Sequence, residues 1–73
     1  VPAVERVFGT RPRVLDGSRA VLLGDVKLQL ERGERELWVI EMHGPLEHRV
    51  GMVEVDGDIE AALREAREVA LHG

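Results

Sequence analysis

Two histidines and two glutamates lie close together in the stretch EMHGPLEH, residues 41 to 48, and these residue types bind transition metals. A four-residue loop over 44 to 47 would place His43 opposite His48 on paired strands, with β-carbons about 5 Å apart and Glu41 on the same face. Two imidazoles and a carboxylate with an open position are typical of catalytic zinc and non-haem iron sites. A loop of odd length would instead put the histidines on opposite faces, as polar ends of a hairpin.

Other catalytic chemistry has little support in the residue types. The chain has no cysteine, and its only hydroxyl side chains are Thr10 and Ser18. Ser18 falls in the triplet DGS, which is a turn signal. No glycine-rich stretch ends in the Gly-Lys-Ser/Thr of a phosphate-binding loop. We therefore predict a protein that is not an enzyme and that has no cofactor, with the metal-dependent enzyme as an alternative.

Charge is distributed unevenly along the chain. The net charge is −4, yet residues 1–19 carry four arginines against Glu5 and Asp16. Arg6, Arg11 and Arg13 lie in this basic segment and could contact nucleic-acid phosphates, for which arginine is well suited. Because the rest of the chain is acidic and repels phosphate at long range, nucleic-acid binding is only an alternative function.

The middle of the chain has the patterns of β-strands. Val26, Leu28 and Leu30 alternate with polar residues, which indicates a half-buried strand over 19–31, with Gly24 as a bulge. Residues 36–42 and 47–55 are rich in β-branched and apolar types and also predict strands, the second with a bulge or a close approach at Gly51. Residues 13–15 indicate a further, short strand. Short connections favour antiparallel pairing of neighbours.

The carboxyl end predicts one amphipathic helix. Apolar residues recur at spacings of three and four on one helical face, namely Ile59, Ala62, Leu63, Ala66, Val69 and Ala70. Asp58 suits the N-cap and Gly73 the C-cap. The predicted fold class is therefore α+β: one domain over residues 1–73, with a three- or four-stranded antiparallel meander followed by a C-terminal helix packed on the sheet. Residues 1–12 would form either a helical turn or an extended arm.

Both faces of the predicted hairpin carry large apolar residues, although one helix covers only one face of a sheet. Such a pattern indicates a sheet packed on two sides or a dimer interface. A 73-residue chain buries only about 60% of its unfolded surface, so a subunit contact would enlarge the core. We therefore predict a non-enzymatic module that binds a protein partner or forms a homodimer or small homo-oligomer, with the interface residues Trp38, Ile40, Met42, Val50 and Met52.

The sequence also bears on location. No run approaches the roughly 20 apolar residues of a membrane span. The amino end has no secretory signal pattern, and the lack of cysteine gives no indication of an oxidising compartment. A cytoplasmic protein without a membrane partner is the expectation.

Overall fold

The computed structural model describes residues 2–15, 17 and 19–72. These residues form seven elements: α1 Pro2–Phe8, β1 Arg13–Leu15, β2 Ala20–Leu23, β3 Val26–Glu31, β4 Glu36–His43, β5 Leu46–Glu54 and α2 Ile59–His72. The strands make one antiparallel sheet in the order of the sequence. The predicted α+β class, an antiparallel meander followed by a helix that packs on the sheet, is confirmed.

The sheet has five strands because residues 19–31 form two strands instead of one. Leu23 pairs with Val26, which leaves Gly24 and Asp25 as a two-residue hairpin turn. Gly24 has φ +60°, a left-handed conformation that glycine adopts without steric cost and that such turns require. The bulge predicted at Gly24 is therefore wrong. The turn predicted around Ser18 includes Asp16 and Ser18, both outside the described residues.

At the amino end, residues 2–8 form a helix and not an extended arm. The helix ends at Phe8, and the next residue, Gly9, has φ +74° and donates its backbone N–H to the Glu5 carbonyl at 2.8 Å. Val4 is only 3% exposed and belongs to the core cluster. The amino end is thus part of the packed domain.

The C-terminal helix α2 follows the predicted pattern. The Asp58 carboxylate accepts a hydrogen bond from the Ala61 backbone N–H at 3.2 Å, which confirms the N-cap. Ala62, Leu63 and Ala66 are buried. The Arg64 guanidinium lies 3.6 Å from Glu60, one helical turn away. Gly73 lies outside the described residues, so its C-cap role stays a prediction.

The N-cap supports a first prediction. Replacing Asp58 with Ala is expected to lower the free energy of unfolding by about 1 kcal/mol, because it leaves a first-turn N–H without its acceptor. Urea denaturation measures the change. Asp56→Ala is the matched control, since Asp56 is exposed in the same loop. Equal effects of the two substitutions would argue against a capping role.

Both helices pack on the same face of the sheet, which we call the helix-side face. Its buried cluster comprises strand residues Val21, Leu28, Leu37, Val39 and Val53 and helix residues Val4, Ala62, Leu63 and Ala66. The opposite face, called the open face, has no helix packed on it within the described part of the chain. Two buried open-face residues, Ala20 and Ile40, lie outside this cluster.

A β-bulge in β5 decides which side chains reach the open face. Val39 pairs with Gly51, but Ile40 pairs with Arg49, so Val50 is an extra residue in the strand. Uninterrupted alternation would have put Arg49 on the face of Gly51 and Val53. The bulge instead puts Arg49 on the open face, which also carries Trp38. The guanidinium carbon of Arg49 lies 4.7 Å from the centroid of the Trp38 ring. The bulge lies at Val50, next to Gly51, and the close approach predicted at Gly51 is confirmed, since a β-carbon there would lie 2.7 Å from Cγ1 of Val69.

Candidate interface on the open face of the sheet

Four of the five predicted interface residues lie on the open face. Trp38, Ile40 and Met42 alternate along β4, and Met52 pairs directly with Trp38 on β5. Val50 does not join them, because the bulge turns it towards the helix side, where it is half-buried against the core cluster. The alternation within β4 was visible in the sequence, whereas the displacement of Val50 depends on the bulge.

The strand register arranges the open face in rows that run across the strands. The acidic row consists of Glu31, Glu36 and Glu54. Beside it lies the central row, which consists of Leu15, Ala20, Gln29, Trp38 and Met52. The basic row follows, with Arg13, Leu22, Lys27, Ile40 and Arg49. Neighbouring rows are about 7 Å apart, since they are two strand residues apart. Charge is therefore ordered along the strand direction.

Two ion pairs cross β4 and connect β3 with β5. Lys27 Nζ lies 2.9 Å from Glu47 Oε2, and an Arg49 guanidinium nitrogen lies 3.1 Å from Glu31 Oε2. Lys27 and Arg49 are the two neighbours of Ile40 in the register. Ile40 is 0% exposed although no helix lies above it. We attribute this burial to the aliphatic stems of the two long side chains beside it, because lysine and arginine stems commonly cover apolar surface.

Around Ile40, several apolar side chains of the open face keep contact with solvent. Met52 is 38% exposed, and Leu15, Leu22, Trp38 and Met42 are half-buried. The Trp38 indole N–H donates to Glu36 at 3.2 Å, so the polar edge of the ring is satisfied, and the Arg49 guanidinium lies over the ring. Trp, Met and Arg are the side chains enriched in protein interfaces. The chemistry of this face is therefore suited to association.

The acidic row places like charges side by side. Glu31 pairs with Glu36 in the register, and Glu36 pairs with Glu54. Like charges directly opposite each other on paired strands destabilise a sheet. Arg49 contacts Glu31, and Arg32 Nε lies 3.8 Å from Glu36. Among the described residues, no ion pair includes Glu54. The row is thus only partly balanced by cations of its own chain.

The residues of the predicted metal site share one face but not the expected pairing. The connection between β4 and β5 is the two-residue turn Gly44–Pro45, so His43 pairs with Leu46 and His48 pairs with Glu41. The four-residue loop is therefore wrong, and the histidines are diagonal neighbours. Glu41 Oε1 lies 2.8 Å from His43 Nε2. In the described part of the chain, no three His, Cys, Asp or Glu residues are placed to hold a metal ion.

The three arginines of the basic segment lie in different parts of the structure. Arg6 Nε lies 3.5 Å from Glu60 of α2, and Arg11 Nε lies 3.1 Å from Glu5 of α1. Arg13 lies on the open face, in the basic row. These arginines do not form a single basic surface, and two of them already contact carboxylates. Nucleic-acid binding through them stays a prediction.

An apolar cavity of about 130 Å³ lies between α1, the start of α2 and the helix-side face. Eight apolar side chains and Arg19 line it, among them Val4, Leu28 and Leu63. Such a lining contains no carboxylate, imidazole or hydroxyl that could act as an acid, a base or a nucleophile. The cavity is a gap in the packing of the small core and offers no catalytic group.

The chain matches no known family model, and it matches no curated protein and no solved structure. Among the described residues, neither helix has the length and apolar character that a membrane crossing needs. The function is therefore argued from the chemistry of this chain alone.

Proposed function

We propose that this protein is a non-enzymatic homodimerising module in which two copies associate through the open faces of their sheets. The observation that carries the proposal is the apolar surface formed by Trp38, Met42 and Met52 on a face without a covering helix in the described part of the chain. Antiparallel sheets with one solvated face usually show polar residues there. The apolar side chains on this face are better explained by a second layer of protein that packs on it.

The size of the face is sufficient for a weak, reversible contact. The three rows, with Met42 and Glu47 beyond the basic row, comprise 15 positions of about 4.8 Å by 7 Å each, and together they cover about 500 Å² per chain. Two copies would then bury about 1,000 Å² in total, which is in the range of weak, transient complexes. We expect a dissociation constant in the micromolar range, because small interfaces of this kind are transient.

The charges of the open face favour a second copy of the chain over a partner that carries mainly one sign of charge. Three cations and four carboxylates share the face, the latter being Glu31, Glu36, Glu47 and Glu54. A polyanion such as nucleic acid would meet the acidic row about 14 Å from the basic row, with only the central row between them, which opposes its binding. A surface that carries both signs in separate rows can complement itself when a two-fold axis relates two copies.

The proposal predicts that Met52→Lys weakens self-association while Leu71→Lys does not. Both side chains are exposed apolar residues, but Met52 lies in the central row and Leu71 lies on α2. A lysine in the middle of an apolar contact is expected to raise the dissociation constant by at least about 30-fold, the effect of losing about 2 kcal/mol. Sedimentation velocity at several concentrations measures this constant.

The two lysine variants have the same charge change, so net repulsion affects both equally. A dissociation constant that rises by the same factor in both variants would show that the open face is not the contact. Circular dichroism of both variants establishes that they are folded before the constants are compared.

A further inference from the structure

We infer that the two copies pack face to face with their strands antiparallel, about a two-fold axis that runs across the strands above the central row. This inference rests on the proposed function and adds the orientation and the contacting residues. It follows from the order of the acidic, central and basic rows, which the strand register defines.

Two simple orientations stack one open face on another with two-fold symmetry. An axis parallel to the strands places the acidic row of one copy above the acidic row of the second, and the basic rows above each other. An axis perpendicular to the strands reverses the row order and places each acidic row above a basic row. Because like-charge contacts across an interface oppose association, the charges select the second orientation.

The axis position follows from the spacing of the rows. The central row lies midway between the acidic and the basic row. A two-fold axis above the central row therefore places the acidic row of one copy over the basic row of the second copy. Each strand then lies above the same strand of the second copy. Trp38 meets Trp38 of the second copy, and Met52 meets Met52. Packed sheets are about 10 Å apart, a gap that these side chains fill from both sides.

In this arrangement, Glu54 faces Arg49 of the second copy and Glu31 faces Lys27 of the second copy. Each contact occurs twice because of the symmetry. The first contact supplies a cation to Glu54, the one carboxylate of the acidic row that takes part in no ion pair among the described residues. Cations of the second copy then offset the negative charge of the neighbouring carboxylates in the acidic row.

The symmetry makes a charge-reversal experiment decisive. In Glu54→Arg, both predicted contacts of the homodimer join two cations, and in Arg49→Glu both join two carboxylates. A heterodimer of the two variants again has an opposite-charge pair at both positions. Each variant alone is therefore expected to show a dissociation constant raised at least tenfold, and an equimolar mixture is expected to form a heterodimer with the wild-type constant.

Glu65→Arg is the matched control, because it reverses an exposed carboxylate on α2 with the same change in net charge. Mixed with Arg49→Glu, it is expected to give no recovery, since the lost contacts lie elsewhere. If thermal unfolding shows that Arg49→Glu does not fold, Glu31→Lys and Lys27→Glu replace the first pair in the same design.

Sedimentation velocity distinguishes failure of this inference from failure of the proposed function. A dimeric wild type combined with an equimolar mixture that does not recover would overturn the orientation and leave the dimer intact. Equal recovery with the Glu65→Arg mixture would also overturn it, because net charge would then explain the effect. A wild type that stays a single chain would overturn both.

Discussion

Replacing Ile40 with Ala is expected to lower the free energy of unfolding by about 2–5 kcal/mol, the range for truncating a buried aliphatic side chain. Ile40 is 0% exposed although it points away from both helices and lies outside the main core cluster. Lys27 of β3 and Arg49 of β5 cover it. Each of them forms an ion pair that crosses β4 to the other of these two strands. Truncation would leave a cavity beneath these stems that the rigid sheet cannot close.

Leu46→Ala is the matched control for this prediction. Leu46 belongs to the same hairpin and is 70% exposed, so its truncation is expected to change stability by less than about 0.5 kcal/mol. Urea denaturation is measured at one fixed protein concentration, because association contributes to the stability of a dimer. If Ile40→Ala destabilised the protein as little as Leu46→Ala, Ile40 would not be packed beneath Lys27 and Arg49.

Gly51→Ala is expected to destabilise the protein by about 1–3 kcal/mol, the usual cost of overpacking a core. A β-carbon at Gly51 would lie 2.7 Å from Cγ1 of Val69, a distance that forces the strand or the helix to move. Gly51 pairs with Val39 and therefore lies on the helix-side face, where α2 packs against β5. The penalty is therefore steric and arises between these two residues.

This origin makes the effect reversible by a second substitution. Val69→Ala removes the clashing methyl group, so the double variant is expected to lose less stability than the sum of the single variants, with a coupling energy above about 0.5 kcal/mol. Gly33→Ala is the control, since a β-carbon there meets nothing within 4 Å while the residue has φ +63°. Its cost comes from backbone strain and should add to that of Val69→Ala. Additive costs for Gly51→Ala and Val69→Ala would argue against the close approach.

The sequence was sufficient to predict the elements that have a strong local signal. The helix α2 was predictable because its apolar spacing and the Asp58 cap act within a few residues. The strands over 36–43 and 46–54 were predictable from residue types. The hairpin over 20–31 was missed because Gly24 fits both a bulge and a turn, and only the pairing of Leu23 with Val26 decides between them.

The candidate site depended on features that are not local. The bulge at Val50 exchanges the faces of the residues before it, so it moves Arg49 beside Trp38 and takes Val50 out of the interface. The acidic and basic rows exist only once the register of all five strands is known. The two-residue turn at Gly44–Pro45 likewise separates His43 from the position opposite His48. A shift of one residue would change each of these outcomes.

The two-sided apolar pattern of the hairpin now divides into two parts. Leu37 and Val39 lie under the helices in the main core, whereas Trp38, Ile40 and Met42 form the open face. The first set explains why the single chain folds. Of the second set, Trp38 and Met42 support the proposal that it associates, whereas Ile40 is already buried within the single chain.

The molar mass of the wild-type protein, measured by light scattering from about 1 μM to 1 mM, tests this proposal most directly. Our account predicts a rise with concentration from one chain of 8.1 kDa towards two chains, with no further growth, because a two-fold face-to-face contact is closed. A mass of one chain across the whole range would contradict the dimer. Continued growth beyond two chains would contradict the closed contact through the open face.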